Sequence, residues 1–180
     1  MLGRDDGSRL PRIGTILVLA LLLGIEEALA ADSADSSDRA LESAAAGLPP
    51  GVGRAIRAAA EKLASPACRE IFSDFRDADG RTLQQNLDAL GQSGRGFLGL
   101  AVFYEGRGKR ACAPRTVVAW TNPGSRAIFV CTDQFSAMER HDLGLAADLI
   151  IHEELHSLGL GENPPDGKVI TAQVIARCGK

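Results

Sequence analysis

Two histidines four residues apart, with a glutamate directly after the first, are the groups best placed to do chemistry: His152, Glu153 and His156. On an α-helix, four residues advance about 40° around the axis and about 6 Å along it, so both imidazoles project from one face. Such a pair can hold one zinc ion, for which imidazole nitrogen is a common ligand. Glu153 lies about 100° further around. It can reach a metal-bound water without ligating the metal. Zinc lowers the pKa of that water to about 7, and a carboxylate beside it can take the proton. The H-E-x-x-H spacing is a recurrent zinc-site pattern, and it uses two of the chain's 3 histidines. The competing reading is a helix with two histidines satisfied by ordinary hydrogen bonds.

A catalytic zinc takes three protein ligands and keeps a fourth position open for water. If the helix ran on past His156, residue 162 would lie about 9 Å further along the axis and about 240° around it, out of reach. The sequence predicts a stop instead. Gly159 can adopt the left-handed conformation that ends helices, and Gly161 adds freedom beside it. Asn163-Pro164-Pro165 then breaks any helical continuation. Glu162 is the first carboxylate after that turn and the expected third ligand. The alternative is a surface glutamate, with Asp166 or a second water completing the site. His141 is the remaining histidine. On a continuous helix it lies about 16 Å from His152 along the axis, too far to share a metal. Asp148, one turn before His152, reads equally well as its orienting partner or as a solvated residue. Tyr104 has the chemistry to stabilise an oxyanion, but core packing is the better reading.

These residues need a scaffold. Apolar spacing predicts a helix over 52–64, then one capped by Ser65 with Pro66 in its first turn, and a short one around Leu83, Leu87 and Leu90. Asp77-Ala78-Asp79-Gly80 lacks calcium ligands at the first and last loop positions and reads as a plain turn. Residues 97–104, 116–121 and 126–131 are rich in β-formers, and Asn122-Pro123-Gly124-Ser125 suits a type II turn between the last two. The basic residues Arg107, Lys109 and Arg110 read as a solvated loop. Ser136-x-x-Glu139 fits a capping box opening a long helix through His152 and His156. A last helix over about 167–178 places Ile170, Val174 and Cys178 on one stripe.

The chain has 180 residues, room for one domain behind an export segment. Arg4, Arg9 and Arg12, the apolar run Ile13 to Ile25 and Ala28-Leu29-Ala30 read as a signal peptide over 1–30, cleaved before Ala31. The run is too short for a bilayer span, so no membrane anchor is expected after cleavage. Residues 31–50 read as a disordered leader or linker, and 51–180 as the folded domain. A net charge of -3 gives no electrostatic reason for a nucleic-acid partner. Secretion or a periplasmic location puts the 4 cysteines in an oxidising compartment. Cys68 and Cys178 lie on core-facing stripes, which favours pairing them with each other and Cys112 with Cys131, among three connectivities.

The stretch His152-Glu153-x-x-His156-x-x-Gly159-x-x-Glu162 resembles the metzincin pattern of zinc peptidases, H-E-x-x-H-x-x-G-x-x followed by His or Asp. Here the last position holds Glu162. No methionine follows the motif, since Met1 and Met138 are the only two. The resemblance implies a zincin-like α+β domain, with a short, mainly antiparallel sheet packed on helices that include the active-site helix. It also implies zinc as cofactor, a peptide or protein substrate, and an upstream strand lining the substrate groove, for which 126–131 is the candidate. The expected function is metallopeptidase hydrolysis with Glu153 as general base and His152, His156 and Glu162 on the metal. Two other readings stand beside it: a zinc-stabilised binding or structural protein without catalysis, and hydrolysis of a non-peptide amide.

Overall fold

A computed structural model of the chain describes residues 38–179. The expected signal peptide, the start of the leader and Lys180 lie outside them. Within the leader, residues 38–44 are helical (α1) and Leu41 is buried, where disorder was expected. Leu41 belongs to the core, and Ala44, Ala45 and Leu48 pack against it. An alanine-rich composition hid this apolar stripe.

Proline opens the next helix, α2 (Pro50–Leu63), where its missing N–H leaves no bond unmade. Val52, Ala55, Ile56, Ala59, Ala60 and Leu63 form its buried face. As expected, the Ser65 side chain accepts from the Cys68 N–H at 3.2 Å and starts α3 (Pro66–Arg69). Then come α4 (Ile71–Asp74) and α5 (Leu83–Ala89), the latter opened by a capping box between Thr82 and Gln85. Between them, the Asp77 carboxylate accepts from the N–H groups of Asp79 and Arg81, the Arg81 guanidinium and the Asn86 amide. That is a turn held by its own aspartate.

The first strand is shorter than expected. Ser93 accepts from the Gly96 N–H at 3.1 Å and draws Phe97 and Leu98 into a helix, α6 (Gly94–Leu98), so β1 covers only Val102–Glu105. β2 is Ala119–Thr121 and β3 is Ala127–Val130. The order is β1-β3-β2, with β1 parallel and β2 antiparallel to β3. The expected mainly antiparallel sheet is therefore mixed, with one ladder of each kind. The Cys112–Cys131 disulfide ties the long loop after β1 to the end of β3, and β1 pairs with β3 rather than forming a hairpin with β2. The turn between β2 and β3 is as expected: the Ser125 N–H donates to the Asn122 carbonyl at 2.9 Å, and Gly124 has φ 77°.

One sheet face buries Phe103, Ala119, Ile128 and Val130. The other carries a row of stacked rings, with Phe129 5.4 Å from Tyr104 and 4.3 Å from Trp120. Tyr104 is 47% exposed there, rather than in the core.

The long helix expected from Ser136 onward is two helices, α7 (Thr132–His141) and α8 (Leu143–Ser157). Ser136 lies inside α7, and Glu139 pairs with Arg54 of α2 at 2.8 and 2.9 Å. Asp142 makes the break, its side chain accepting from the Leu145 N–H at 2.9 Å. Helix α8 is buried from Ile150 through Ser157, its polar residues included, so it is the central helix. Helix α9 (Gly167–Cys178) is capped by Asp166, which accepts from the N–H groups of Lys168 and Val169. Both disulfides match the expected pairing, and Cys68–Cys178 ties the end of α9 to α3. Two disulfides are compatible with an extracellular location. Among the described residues, no helix is long and apolar enough to cross a membrane.

Candidate metal centre

The end of α8 determines where the third candidate ligand can go. The Leu160 N–H donates to the Leu155 carbonyl at 3.1 Å and the Gly159 N–H to the His156 carbonyl at 2.9 Å. With Gly159 at φ 108°, this is the Schellman pattern expected of a glycine-terminated helix. Leu155 and Leu160 are both buried, the apolar contact that usually accompanies it. The chain turns back, and Glu162 returns beside the histidines.

One ligand atom from each of His152, His156 and Glu162 lies within 4.8 Å of the others. His152 Nε2 and His156 Nε2 are 3.0 Å apart. A tetrahedral zinc with bonds of about 2.0–2.1 Å needs its nitrogens about 3.3 Å apart, so the pair fits with a shift of a few tenths of an ångström. The Nδ1 atoms are already engaged. His156 Nδ1 donates to the Leu160 carbonyl at 2.8 Å, because a carbonyl can only accept, so its Nε2 carries the lone pair and faces His152 Nε2. His152 Nδ1 lies 3.0 Å from the Thr171 hydroxyl. Burial, followed by the neighbouring His156, pushes the His152 pKa down to about 4. At neutral pH it is therefore the neutral ring that a metal requires.

Glu153 is buried next to this cluster, and its Oε2 has no hydrogen-bond partner among the described residues. Burial pushes its carboxyl up to about 8, against the opposing pull of the Thr121 hydroxyl and with a further push from Glu162. A cavity of about 700 Å³ opens onto His152 and Glu153 between β2 and the first turns of α9. Val117, Val118, Leu149, Ala172 and Ile175 give it an apolar lining, with Lys168 among its residues.

The structure reassigns several candidates. Asp148 does not orient His152; it accepts from Lys62 at 2.5 Å. Asp166 is spent on capping α9, and His141 is exposed at the end of α7, outside the cluster. Strand 126–131 cannot line a groove, because β3 is the central strand with both edges paired. The strand beside α8 with a free edge is β2. Sequence reasoning missed Thr171 and Gly167, both on α9. A glycine at the first position of a helix was the only visible signal for either.

Glu154 was not singled out either. It is fully buried, and neither carboxyl oxygen has a partner among the described residues. Burial holds its carboxyl well above the usual range, which favours the protonated form. Glu154→Leu is expected to stabilise the fold by about 1–3 kcal/mol, the typical cost of an unsatisfied buried polar group. The folded state holds a proton that the unfolded chain releases above its ordinary carboxyl pKa. Wild-type stability therefore falls as pH rises above that value, and the advantage of the leucine variant grows. Urea denaturation of both proteins at pH 5 and pH 8 checks this. A gap that shrinks towards pH 8 contradicts it.

The chain matches no family model, no curated protein and no solved structure.

Proposed function

We propose that this chain is a zinc-dependent hydrolase of peptide bonds with a zincin-like arrangement of helix and edge strand. The observation that carries the reading is the convergence of three ligand atoms beside the buried Glu153 carboxyl, whose Oε2 is unpartnered among the described residues, with His152 and Glu153 lining a cavity. His152, His156 and Glu162 would hold the metal, leaving one position open. Zinc bound there would supply a Lewis acid and an activated water. Glu153 takes the water's proton and returns it to the leaving amine. The free edge of β2 suits an extended peptide, whose backbone would add to the sheet. A flanking apolar side chain would enter the cavity between β2 and α9.

Metal content and peptide cleavage by the purified mature chain test this, with His156→Ala as control. Glu162→Ala is expected to weaken zinc binding more than the roughly 10- to 100-fold that loss of a ligand's supporting partner costs. Asp166→Ala should cost about 1 kcal/mol of helix capping and weaken zinc binding far less than Glu162→Ala does. Zinc binding unchanged in Glu162→Ala and lost in Asp166→Ala would reverse the ligand assignment.

A further inference from the structure

The candidate ligands come from α8 and the loop behind it, but two contacts that set their geometry come from α9. A Cβ at Gly167 would overlap Glu162 Oε1 and lie 3.8 Å from His152 Cε1. Gly167 does not have a positive φ. Its backbone would accept any residue, and glycine is a poor helix former. Backbone geometry does not demand the glycine; the end of the exposed Glu162 side chain fills the space beside it, and a side chain at 167 would displace that carboxylate. One turn on, the Thr171 hydroxyl meets His152 Nδ1 at 3.0 Å. It can accept an N–H there or donate an O–H. Only the first leaves His152 Nε2 with a free lone pair.

We infer that Gly167 and Thr171 are positioning residues for the metal: Gly167 leaves the space that Glu162 occupies as a ligand, and Thr171 accepts the Nδ1–H of His152, turning its Nε2 lone pair to the ion. This rests on the zinc reading above. Helix α9 is then part of the metal site without supplying a ligand.

The test is zinc affinity, by competition with a chromophoric chelator, for wild type, Gly167→Ala, Glu162→Ala, the double variant, Thr171→Val and Thr171→Ser. The two variants carrying Glu162→Ala are also titrated with copper(II), whose tighter binding keeps weakened sites measurable. Gly167→Ala should lose about 10-fold or more in affinity, while the metal-free protein melts no lower than wild type. In the Glu162→Ala background the same change should cost nothing, because the group it displaces is gone. Thr171→Val should lose about 10- to 100-fold, and Thr171→Ser should restore wild-type affinity. Nitrogen NMR of the metal-loaded protein should show His152 protonated at Nδ1 in wild type and Thr171→Ser. A Gly167→Ala effect that persists without Glu162, or wild-type affinity in Gly167→Ala and Thr171→Val, overturns the inference. A wild-type chain that binds no zinc overturns the metal reading beneath it.

Discussion

Glu153→Gln is expected to keep zinc bound and to lower peptide hydrolysis by at least about 10². Glutamine has the shape of the carboxyl it replaces and leaves His152, His156 and Glu162 untouched. What it cannot do is take a proton. Glu153 Oε2 has no hydrogen-bond partner among the described residues, and Glu153 lines the cavity through which a water would arrive. Without a metal, burial holds this carboxyl at about 8. A dication beside it stabilises the ionised form, so in the loaded protein its titration lies lower. The base must be ionised to act. Activity should therefore rise with pH through that titration, and the rising limb should vanish from the residual activity of the glutamine variant. Elemental analysis and kcat/KM against pH for both proteins, on a peptide that wild type cleaves, decide the matter. Equal hydrolysis by the two ends the general-base role. Stoichiometric zinc in a wild type that cleaves no peptide favours a binding or structural protein instead.

The cluster of His152, His156 and Glu162 was readable in the sequence because it is local. Helical spacing fixes His152 and His156 on one face, and Gly159 with the two prolines dictates the turn that returns Glu162. The disulfide pairs were readable for a related reason, since Cys68 and Cys178 each lie on an apolar stripe that must face the core. Failures occurred where local chemistry was overridden or where a contact spans the fold. Ser136 and Glu139 have capping-box spacing, but Glu139 is drawn to Arg54 of α2 and Asp142 takes the cap. Phe97 and Leu98 look like strand residues, but Ser93 caps them into a helix. Asp148 turned to Lys62, which lies 86 residues away in sequence. The support from α9, through Gly167 and Thr171, depends on how that helix packs on α8, and no spacing rule encodes that packing.

Serine at both Cys68 and Cys178 is expected to cost about 1.5–2 kcal/mol more than serine at Cys112 and Cys131. The first bridge spans 110 residues and the second 19. In the chain-entropy model these loops correspond to about 5 and about 3 kcal/mol. Against a typical total of about 5–15 kcal/mol, losing the longer bridge removes much of the margin. The melting temperature should fall on the order of 15 °C. The bridge also anchors α9, whose other fastening on that side is Asp74, bonded to Arg177 at 2.8 Å and to Gln173 at 2.7 Å. Helix α9 carries Gly167 and Thr171, so its release should weaken zinc binding as well as stability. Zinc binds only the folded form, and at about 100 times its dissociation constant it returns roughly 2.7 kcal/mol. Excess zinc should therefore recover about half of the lost melting temperature in the Cys68/Cys178 variant. It should also raise the Cys112/Cys131 variant and wild type, with a larger shift where the site is intact at the same zinc concentration. Thermal melts of the three proteins with zinc and with chelator measure both effects. If the short-loop variant falls further, the chain-entropy account fails. If the two double-serine variants bind zinc equally tightly, α9 does not depend on its disulfide to form the site.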